Sequence, residues 1–285
     1  MKRPPLPEVD ARGTHLALGE RTYIMGILNV TPDSFSDGGR FFDRGKAIEH
    51  ALAMVRDGAD VIDVGGESTR PGAEGVSERE ELDRVIPVIK ELRQKTGIVL
   101  SVDTRRSNVA QEAVEAGAQI VNDVSGLGYD KDMAAVVADS GAALIVMHMK
   151  GTPKDMQSSP GYVDCIGEVM AGLRKSVQIA RDAGVKEEKI IIDPGIGFGK
   201  MFEHNLQILN RLDEFHAIGR PICVGTSRKA FIGKALGIDD PGQRLSGTIA
   251  TCVLAIIKGA NLLRVHDVRQ VRQAAQITDS ILRAH

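Results

Sequence analysis

Polar residues stand at the ends of nearly all the short apolar runs in this sequence, and their types are those of a binding site. Runs that close with a carboxylate, an amide, an imidazole or a guanidinium recur along most of the chain. One such residue is often structural, but a series of them predicts a functional pocket where the ends converge. The series comprises Asn29, Asp63, Asp103, Asn122, His148, Asp193, Thr226 with Ser227, and Arg264 with His266.

The carboxylates and amides of this series predict a flat heterocyclic ligand. Carboxylates accept hydrogen bonds, whereas an amide both accepts and donates them. A ring edge with adjacent N–H groups and ring nitrogens matches that set. Buried carboxylates are costly unless hydrogen-bonded, so Asp103 and Asp193 are expected to receive donors from the ligand. A structural alternative stays open for Asp103, which could cap the turn at 104–107.

Positive charge near the same run ends predicts that the ligand carries an anion. Arg264 lies inside an apolar run, LLRVH, and arginine is seldom buried without a partner. A diphosphate would be such a partner, and an internal salt bridge to a pocket aspartate is the alternative. The tripeptide 227–229 (SRK) opens a predicted helix, where free backbone N–H groups favour an anion. The cations concerned are Arg70, Arg228, Lys229, Arg264 and His266.

Two connections, 31–43 and 66–76, are long and rich in glycine, proline and small polar residues. Long ordered loops in compact domains tend to be lids or binding loops, although each alone could be a surface connection. A third glycine-rich stretch, 193–200 (DPGIGFGK), lacks the residue order of a nucleotide-binding loop, since Pro194 and Met201 occupy diagnostic positions. We expect it to let backbone pass close to a flat ligand, with Phe198 packed against that ligand.

Composition excludes several classes of protein. With 36 basic and 38 acidic residues, the chain has no excess charge to attract a nucleic-acid backbone or an anionic membrane. No apolar run approaches the ~20 residues that cross a bilayer, and the N-terminus lacks the apolar segment of a secretory signal. The three cysteines have no metal-binding or redox spacing. They are expected to be buried thiols of a cytoplasmic protein.

The order of elements favours a single (β/α)8 TIM barrel, an α/β fold, over residues 1–285. Eight short, continuously apolar runs alternate with amphipathic helical patterns, which is typical of parallel strands buried on both faces. An open doubly wound sheet is the alternative. Residues 1–23 are predicted to be an extension with a short β-hairpin around 18–20 that closes the barrel's N-terminal end. The predicted strands are 24–30, 61–65, 98–103, 119–124, 142–148, 189–193, 221–226 and 262–266.

Eight motifs in this sequence resemble, in order, those of the dihydropteroate synthases. The first two are ILNVTPDSFSDGG at 27–39 and GADVIDVGGESTRPGA at 58–73. The others are SVDT at 101–104, NDVSG at 122–126, VMHMKGTP at 146–153, DPGIGFGK at 193–200, GTSRK at 225–229 and RVHDV at 264–268. The resemblance covers residues 24 to about 270, and it implies condensation of a pterin diphosphate with p-aminobenzoate in folate synthesis, an alkyl transfer.

The same resemblance implies a role for each matched residue. Pterin binding falls to Asp103, Asn122, Met147, Asp193, Phe198, Lys229 and Arg264. Diphosphate binding falls to Asn29, Thr69, Arg70, Arg264 and His266, with Asn29 also holding Mg²⁺. The p-aminobenzoate site comprises Phe35, Thr69, Arg70, Pro71, Phe198 and Ser227. The catalytic residues are Arg264, His266, Lys229 and Arg70.

Two other functions and one assembly question stay open at this point. A pterin-binding methyltransferase would share the barrel but would not need the diphosphate cluster. A non-catalytic pterin-binding paralogue should be damaged at the positions named above, and Asn29, Arg70, Lys229 and His266 are intact. The resemblance suggests a homodimer through the late helices. The apolar stretch 248–257 suits such an interface, but plain packing within the barrel explains it equally well.

Overall fold

The fold is taken from a computed structural model, which describes residues 8–31, 43–67, 75–151, 156 and 161–284. Most of the two long connections predicted as binding loops lies outside these residues. Four predicted site residues also lie outside them, namely Phe35, Thr69, Arg70 and Pro71.

Ten strands are present in the described residues, and eight of them form one parallel sheet. The sheet order is β8-β7-β6-β5-β4-β3-β10-β9 in chain numbering. An isolated bridge between Ile192 and Ile222 joins its two ends and completes the ring. The barrel prediction and all eight predicted strands are therefore confirmed, and the open sheet is excluded. The strands are β1 Val9–Ala11, β2 Thr14–Leu16, β3 Tyr23–Asn29, β4 Val61–Gly65, β5 Val99–Asp103, β6 Ile120–Asp123, β7 Ala143–Met147, β8 Ile190–Asp193, β9 Cys223–Val224 and β10 Leu262–Val265.

Helices follow the barrel strands and cover the outside of the sheet. Their buried faces carry small and aliphatic residues that pack on the outward side chains of the strands, such as Ala47 and Ala51 on the first helix. None of these helices is long and apolar enough to cross a membrane. In the described residues they are α1 Arg44–Arg56, α2 Glu78–Lys95, α3 Ser107–Glu115, α4 Met133–Ser140, α5 Cys165–Asp182, α6 Phe202–Asn210, α7 Ala230–Leu236, α8 Leu245–Ile257 and α9 Val268–Arg283.

The N-terminal hairpin exists, but its predicted position was wrong. Strands β1 and β2 pair antiparallel around Arg12 and Gly13, not around residues 18–20. Both turn residues have positive φ, 49° and 86°, which is the backbone of the tight two-residue hairpin turn and suits glycine. The glycine at 19 lies instead in a separate turn, closed by the bond from Glu20 N to Ala17 O, that leads into β3.

The hairpin closes the N-terminal end of the barrel, as predicted. Val9, Ala11 and Leu16 of the hairpin, together with Leu18 just after it, form a second buried cluster with side chains of the barrel strands. Because this plug fills the N-terminal end, a ligand must enter at the opposite end, where the strands terminate.

Candidate active site

A polar cluster toward the C-terminal end of the barrel joins four strands. Arg264 Nε donates to Asp63 Oδ2 over 2.6 Å, and Arg264 Nη2 donates to Asp103 Oδ2 over 2.6 Å. Asn122 Nδ2 donates to the same Asp63 oxygen over 3.1 Å. Of the alternatives for Arg264, the internal salt bridge is therefore the one seen in this structure, and Asp103 pairs with arginine.

The cluster holds more negative charge than one arginine balances. Asp63 is fully buried and Asp103 nearly so, while a single guanidinium contacts both. Burial raises the pKa of Asp103 to about 7, although Arg264 acts in the opposite direction and Asp63 adds to the rise. Burial alone would lower the pKa of Arg264, but the two carboxylates outweigh it and raise that pKa. This excess acceptor character suits a ligand edge that brings N–H donors.

Asp193 and Lys229 form a second polar pair on the adjoining wall. Asp193 Oδ1 accepts from Gly195 N over 2.7 Å, and Lys229 Nζ donates to the carbonyl of Ile196. Burial lowers the pKa of Lys229 to about 8, with Asp193 opposing the change. Burial likewise raises the pKa of Asp193, and Lys229 opposes that. The pair thus offers one acceptor and one donor to a bound ring.

Two apolar side chains lie next to this pair, Met147 and Phe198. Met147 ends β7 directly beside Asp193, its partner in the parallel register. The ring of Phe198 faces Lys229, whose Nζ lies 4.7 Å from the ring centroid. Met147 is buried and Phe198 half-buried. A flat ring bounded by these residues would meet polar groups at its edge and apolar groups beside it.

His266 and Ser227 lie together at the mouth. Ser227 Oγ and His266 Nδ1 are 2.9 Å apart, and the backbone N–H of His266 donates to the same Oγ over 3.2 Å. Arg264 lies in β10, and His266 directly follows the last residue of that strand, Val265. Arg228, predicted as part of the anion site, instead makes a two-bond ion pair with Asp267. Its charge is therefore already compensated.

Asn29 ends β3 and is half-buried at the same end of the barrel. Within the described residues, no group of three or more His, Cys, Asp or Glu side chains could hold a metal ion. Mg²⁺ commonly keeps several waters and takes one or two protein oxygens together with substrate phosphates. A single amide oxygen at this position therefore fits a Mg²⁺ ion that binds together with a diphosphate.

The residues that flank 68–74 are anchored by a buried ionic network. Arg105 Nη2 donates to Glu67 Oε1 over 3.1 Å, and Arg106 Nη2 donates to Val76 O over 2.6 Å. Arg106 also bonds to the buried Glu81. Glu67 precedes and Val76 follows residues 68–74, so the chain on each side of that segment is bonded to the start of α3.

Comparison with known proteins decides the family. The model of the pterin-binding enzymes matches residues 25–266. A dihydropteroate synthase from Synechocystis is 49% identical over 98% of this chain and 96% of its own length. The Bacillus subtilis enzyme is 46% identical over 96% of this chain and 93% of its own. The chain belongs to the dihydropteroate synthase family.

Solved structures of the family agree with this assignment. The Yersinia pestis dihydropteroate synthase in a sulfonamide drug complex superposes with a TM-score of 0.92 at 43% identity, covering 97% of this chain and all of that one. The Xanthomonas albilineans enzyme with 4-aminobenzoic acid gives 0.92 at 42% identity, covering 98% and 100%. The chain is therefore a transferase of folate synthesis, and the methyltransferase and non-catalytic alternatives are set aside.

The sequence assigned no role to two residues, Asp63 and Lys200, that make buried hydrogen bonds in this structure. Asp63 was predicted to end its strand, but it is the middle residue of β4 and bonds both Arg264 and Asn122. Lys200 was treated as part of a glycine-rich motif, yet its side chain is 2% exposed. A signal existed for Asp63, a carboxylate inside the apolar run VIDVG; no local signal distinguished Lys200 from a surface lysine.

Proposed function

We propose that the enzyme condenses 6-hydroxymethyl-7,8-dihydropterin diphosphate with p-aminobenzoate to give 7,8-dihydropteroate and diphosphate. The observation that carries this proposal is that the cluster of Asp63, Asp103, Asn122 and Arg264 shares one end of the barrel with Asp193 and Lys229. The two sets supply carboxylate acceptors, an amide and an ammonium donor around a slot with apolar sides. A pterin presents complementary donors and acceptors at its edge.

In this proposal the pterin lies between Met147 and Phe198. Asp103, Asn122, Asp193 and Lys229 bond its edge. Arg264 exchanges its bond to Asp103 for a position against the ring, which frees a carboxylate oxygen for the ligand. The 2.6 Å contact between Arg264 and Asp103 supports this exchange, because the arginine already lies beside the carboxylate that the pterin is proposed to bind.

The diphosphate is assigned to the mouth of the barrel. Arg264 lies in β10, His266 directly follows that strand, and Asn29 ends the neighbouring strand β3. Thr69 and Arg70 are proposed to complete this site and lie outside the described residues. Bound Mg²⁺, with Asn29 as a protein ligand, would neutralise charge on the diphosphate oxygens.

The p-aminobenzoate is placed outside the pterin, next to Phe198 and Ser227. Phe35, Thr69, Arg70 and Pro71 are assigned to this outer site from the family resemblance alone. The Ser227–His266 contact of 2.9 Å supports the assignment, because p-aminobenzoate beside Ser227 would lie close to a diphosphate bound by His266.

The reaction needs positioning and charge stabilisation, not a protein nucleophile. The carbon–oxygen bond between the pterin's exocyclic carbon and the diphosphate breaks, and its electron pair leaves with the diphosphate. The arylamine nitrogen forms the new bond to that carbon and then loses a proton. Arg264 and His266 stabilise the developing negative charge, while Lys229 and the aspartates hold the ring in line. Arg70 is proposed to act with them.

Product analysis tests the proposed function. The full chain is incubated with Mg²⁺, the pterin diphosphate and p-aminobenzoate, and diphosphate and dihydropteroate are both quantified. Equal amounts of the two products are expected, with loss of both when the metal is chelated. Omitting p-aminobenzoate separates condensation from hydrolysis. Release of no diphosphate from the complete mixture would overturn the proposal.

We also propose a cytoplasmic homodimer. Exposed apolar side chains on the last two helices support a second copy as partner: Leu254 and Ile257 on α8, and Ile277 and Ile281 on α9. Three free, buried cysteines suit a reducing compartment. Sedimentation at several concentrations tests the assembly, and Ile281→Glu should shift a dimer toward monomer with Ile281→Leu as its control. A monomer at all concentrations would contradict this proposal.

A further inference from the structure

Lys200 is buried at the end of the glycine-rich loop that follows β8, residues 194–200, which we call the slot loop. Its side chain is 2% exposed, among the largest side chains that are fully enclosed. Nζ donates to Phe198 O over 3.0 Å and to His148 O over 3.1 Å, and lies 3.1 Å from His148 Nδ1. An ammonium has three donor hydrogens, and these three acceptors use all of them.

The acceptors of Lys200 are unusual because none of them is a carboxylate. Taking an ammonium out of water is expensive, and burial accordingly lowers the pKa of Lys200 to about 7. Burial, with the nearby lysine second, also lowers the pKa of His148 to about 3, which keeps its ring neutral and able to accept. The burial of this lysine, despite the loss of its hydration, is best explained by the two chain segments that its three hydrogen bonds connect.

Those bonds join two parts of the proposed pterin site. His148 directly follows Met147 at the end of β7, whereas Phe198 lies in the slot loop. The two segments are in direct backbone contact, because a Cβ on Gly195 would collide with the carbonyl oxygen of His148. Lys200 therefore connects the two segments that carry Met147 and Phe198, the side chains proposed to enclose the pterin.

Two other side chains hold the slot loop from different elements. Gly197 N donates to Asn205 Oδ1 on α6 over 2.6 Å. Tyr162 OH donates to Gly199 O over 2.9 Å. The loop is thus held at three points along its length, and its opposite side receives the ammonium of Lys229 at Ile196. A shift of the loop would move Phe198 and the Lys229 contact together.

We propose that Lys200 is a positioning residue for pterin binding, which sets the width of the slot by tying Phe198 to the end of β7. This inference rests on the proposed function, since it assumes that the slot takes the pterin. Lys200 contacts no substrate in this arrangement. It acts through Phe198, Met147 and Lys229, which makes substrate affinity the quantity that should respond to its removal.

Lys200→Met provides the test because methionine has similar length and no donor. Lys175→Met, on the exposed face of α5, is the matched control. We expect the KM for the pterin diphosphate to rise about tenfold or more through displaced groups in the slot, with a smaller change in kcat. The Kd for that pterin, measured by calorimetry without p-aminobenzoate, should rise by a similar factor. Far-UV circular dichroism should match the control.

Tyr162→Phe is a second variant that removes only the bond to Gly199. It should raise the same KM in the same direction but less strongly, and it carries the test if Lys200→Met does not fold. The proposal is overturned if Lys200→Met matches the control in both KM and Kd. It is also overturned if the variant has a smaller fraction of active enzyme but the same KM and Kd. It is also overturned if Tyr162→Phe leaves both constants unchanged in the case where Lys200→Met is unfolded. Absence of wild-type turnover would contradict the proposed reaction instead, and the calorimetric comparison would still decide the role of Lys200.

Discussion

Arg264 Nη2 and Asp103 Oδ2 are 2.6 Å apart, in a hydrogen bond between residues separated by 161 positions in the chain. The same arginine bonds Asp63 through Nε. The carboxylate that is proposed to bind the pterin is thus occupied by the arginine that is proposed to stack on it. We therefore propose that Arg264 gives up this bond when the pterin binds.

Asp103→Asn should weaken pterin binding more than it weakens the fold. The amide keeps the shape of the side chain but loses the negative charge that attracts ring donors. Loss of one charge-assisted bond predicts a roughly 10- to 100-fold rise in the Kd for the pterin diphosphate, measured by calorimetry. Asp83→Asn, in an exposed ion pair on α2, is the control and should leave the Kd unchanged. An unchanged Kd for Asp103→Asn would remove Asp103 from the pterin site.

Pterin affinity should depend on pH in a bell-shaped manner. Asp103 must be ionised to accept, and its pKa of about 7 means that acidification protonates it and weakens binding. Lys229 must be protonated to donate, and its pKa of about 8 means that alkaline conditions weaken binding as well. Maximal affinity is therefore expected between these two values, with a decline of about tenfold per pH unit far out on either limb.

Two variants assign the limbs of this profile. The acid limb should be absent from the residual binding of Asp103→Asn, and the alkaline limb from that of Lys229→Met. Calorimetry at each pH, with the same ionic strength throughout, supplies the measurement. Both limbs persisting in both variants would show that other groups control the pH dependence.

Asp63→Asn should destabilise the protein because Asp63 is completely buried and serves two donors. Arg264 and Asn122 both bond its Oδ2 atom. Arg264 keeps its ion pair with Asp103 in this variant, but the amide cannot serve two buried donors as the carboxylate does, so the free energy of unfolding should fall by about 2 kcal/mol. Urea unfolding provides the measurement. The exposed control Asp83→Asn should change it far less, and equal effects of the two variants would contradict a structural role for the buried cluster.

The three cysteines should be unreactive in the native enzyme. All are buried, and burial raises the pKa of each thiol, to about 11 for Cys252. Since the thiolate is the reactive form, a disulfide-exchange reagent at pH 8 should label the native protein slowly. Denatured protein should give three thiols under the same conditions. Rapid labelling of one native cysteine would show that its surroundings open in solution.

The sequence by itself determined the barrel and the end of it that carries the site. Continuously apolar runs such as VIDVG predict strands buried on both faces, and parallel strands place their last residues at one end. Asp103, Asn122 and Asp193 could be brought together on that basis alone. The resemblance then supplied the reaction, because a ring-binding pocket and an anion do not specify a pterin.

Tertiary structure decided which partners these residues have. Hairpin register depends on backbone turn geometry. The turn therefore forms at Arg12 and Gly13 and not at residues 18–20, where it was predicted. The partner of Arg264 depends on which of several aspartates lies nearest across the barrel, which no local pattern encodes. Lys200 could be recognised as a buried residue that joins two segments only once the contact between β7 and the slot loop was known. Local sequence patterns determine where strands and helices form, whereas contacts between residues far apart in the chain determine which side chains bond to each other.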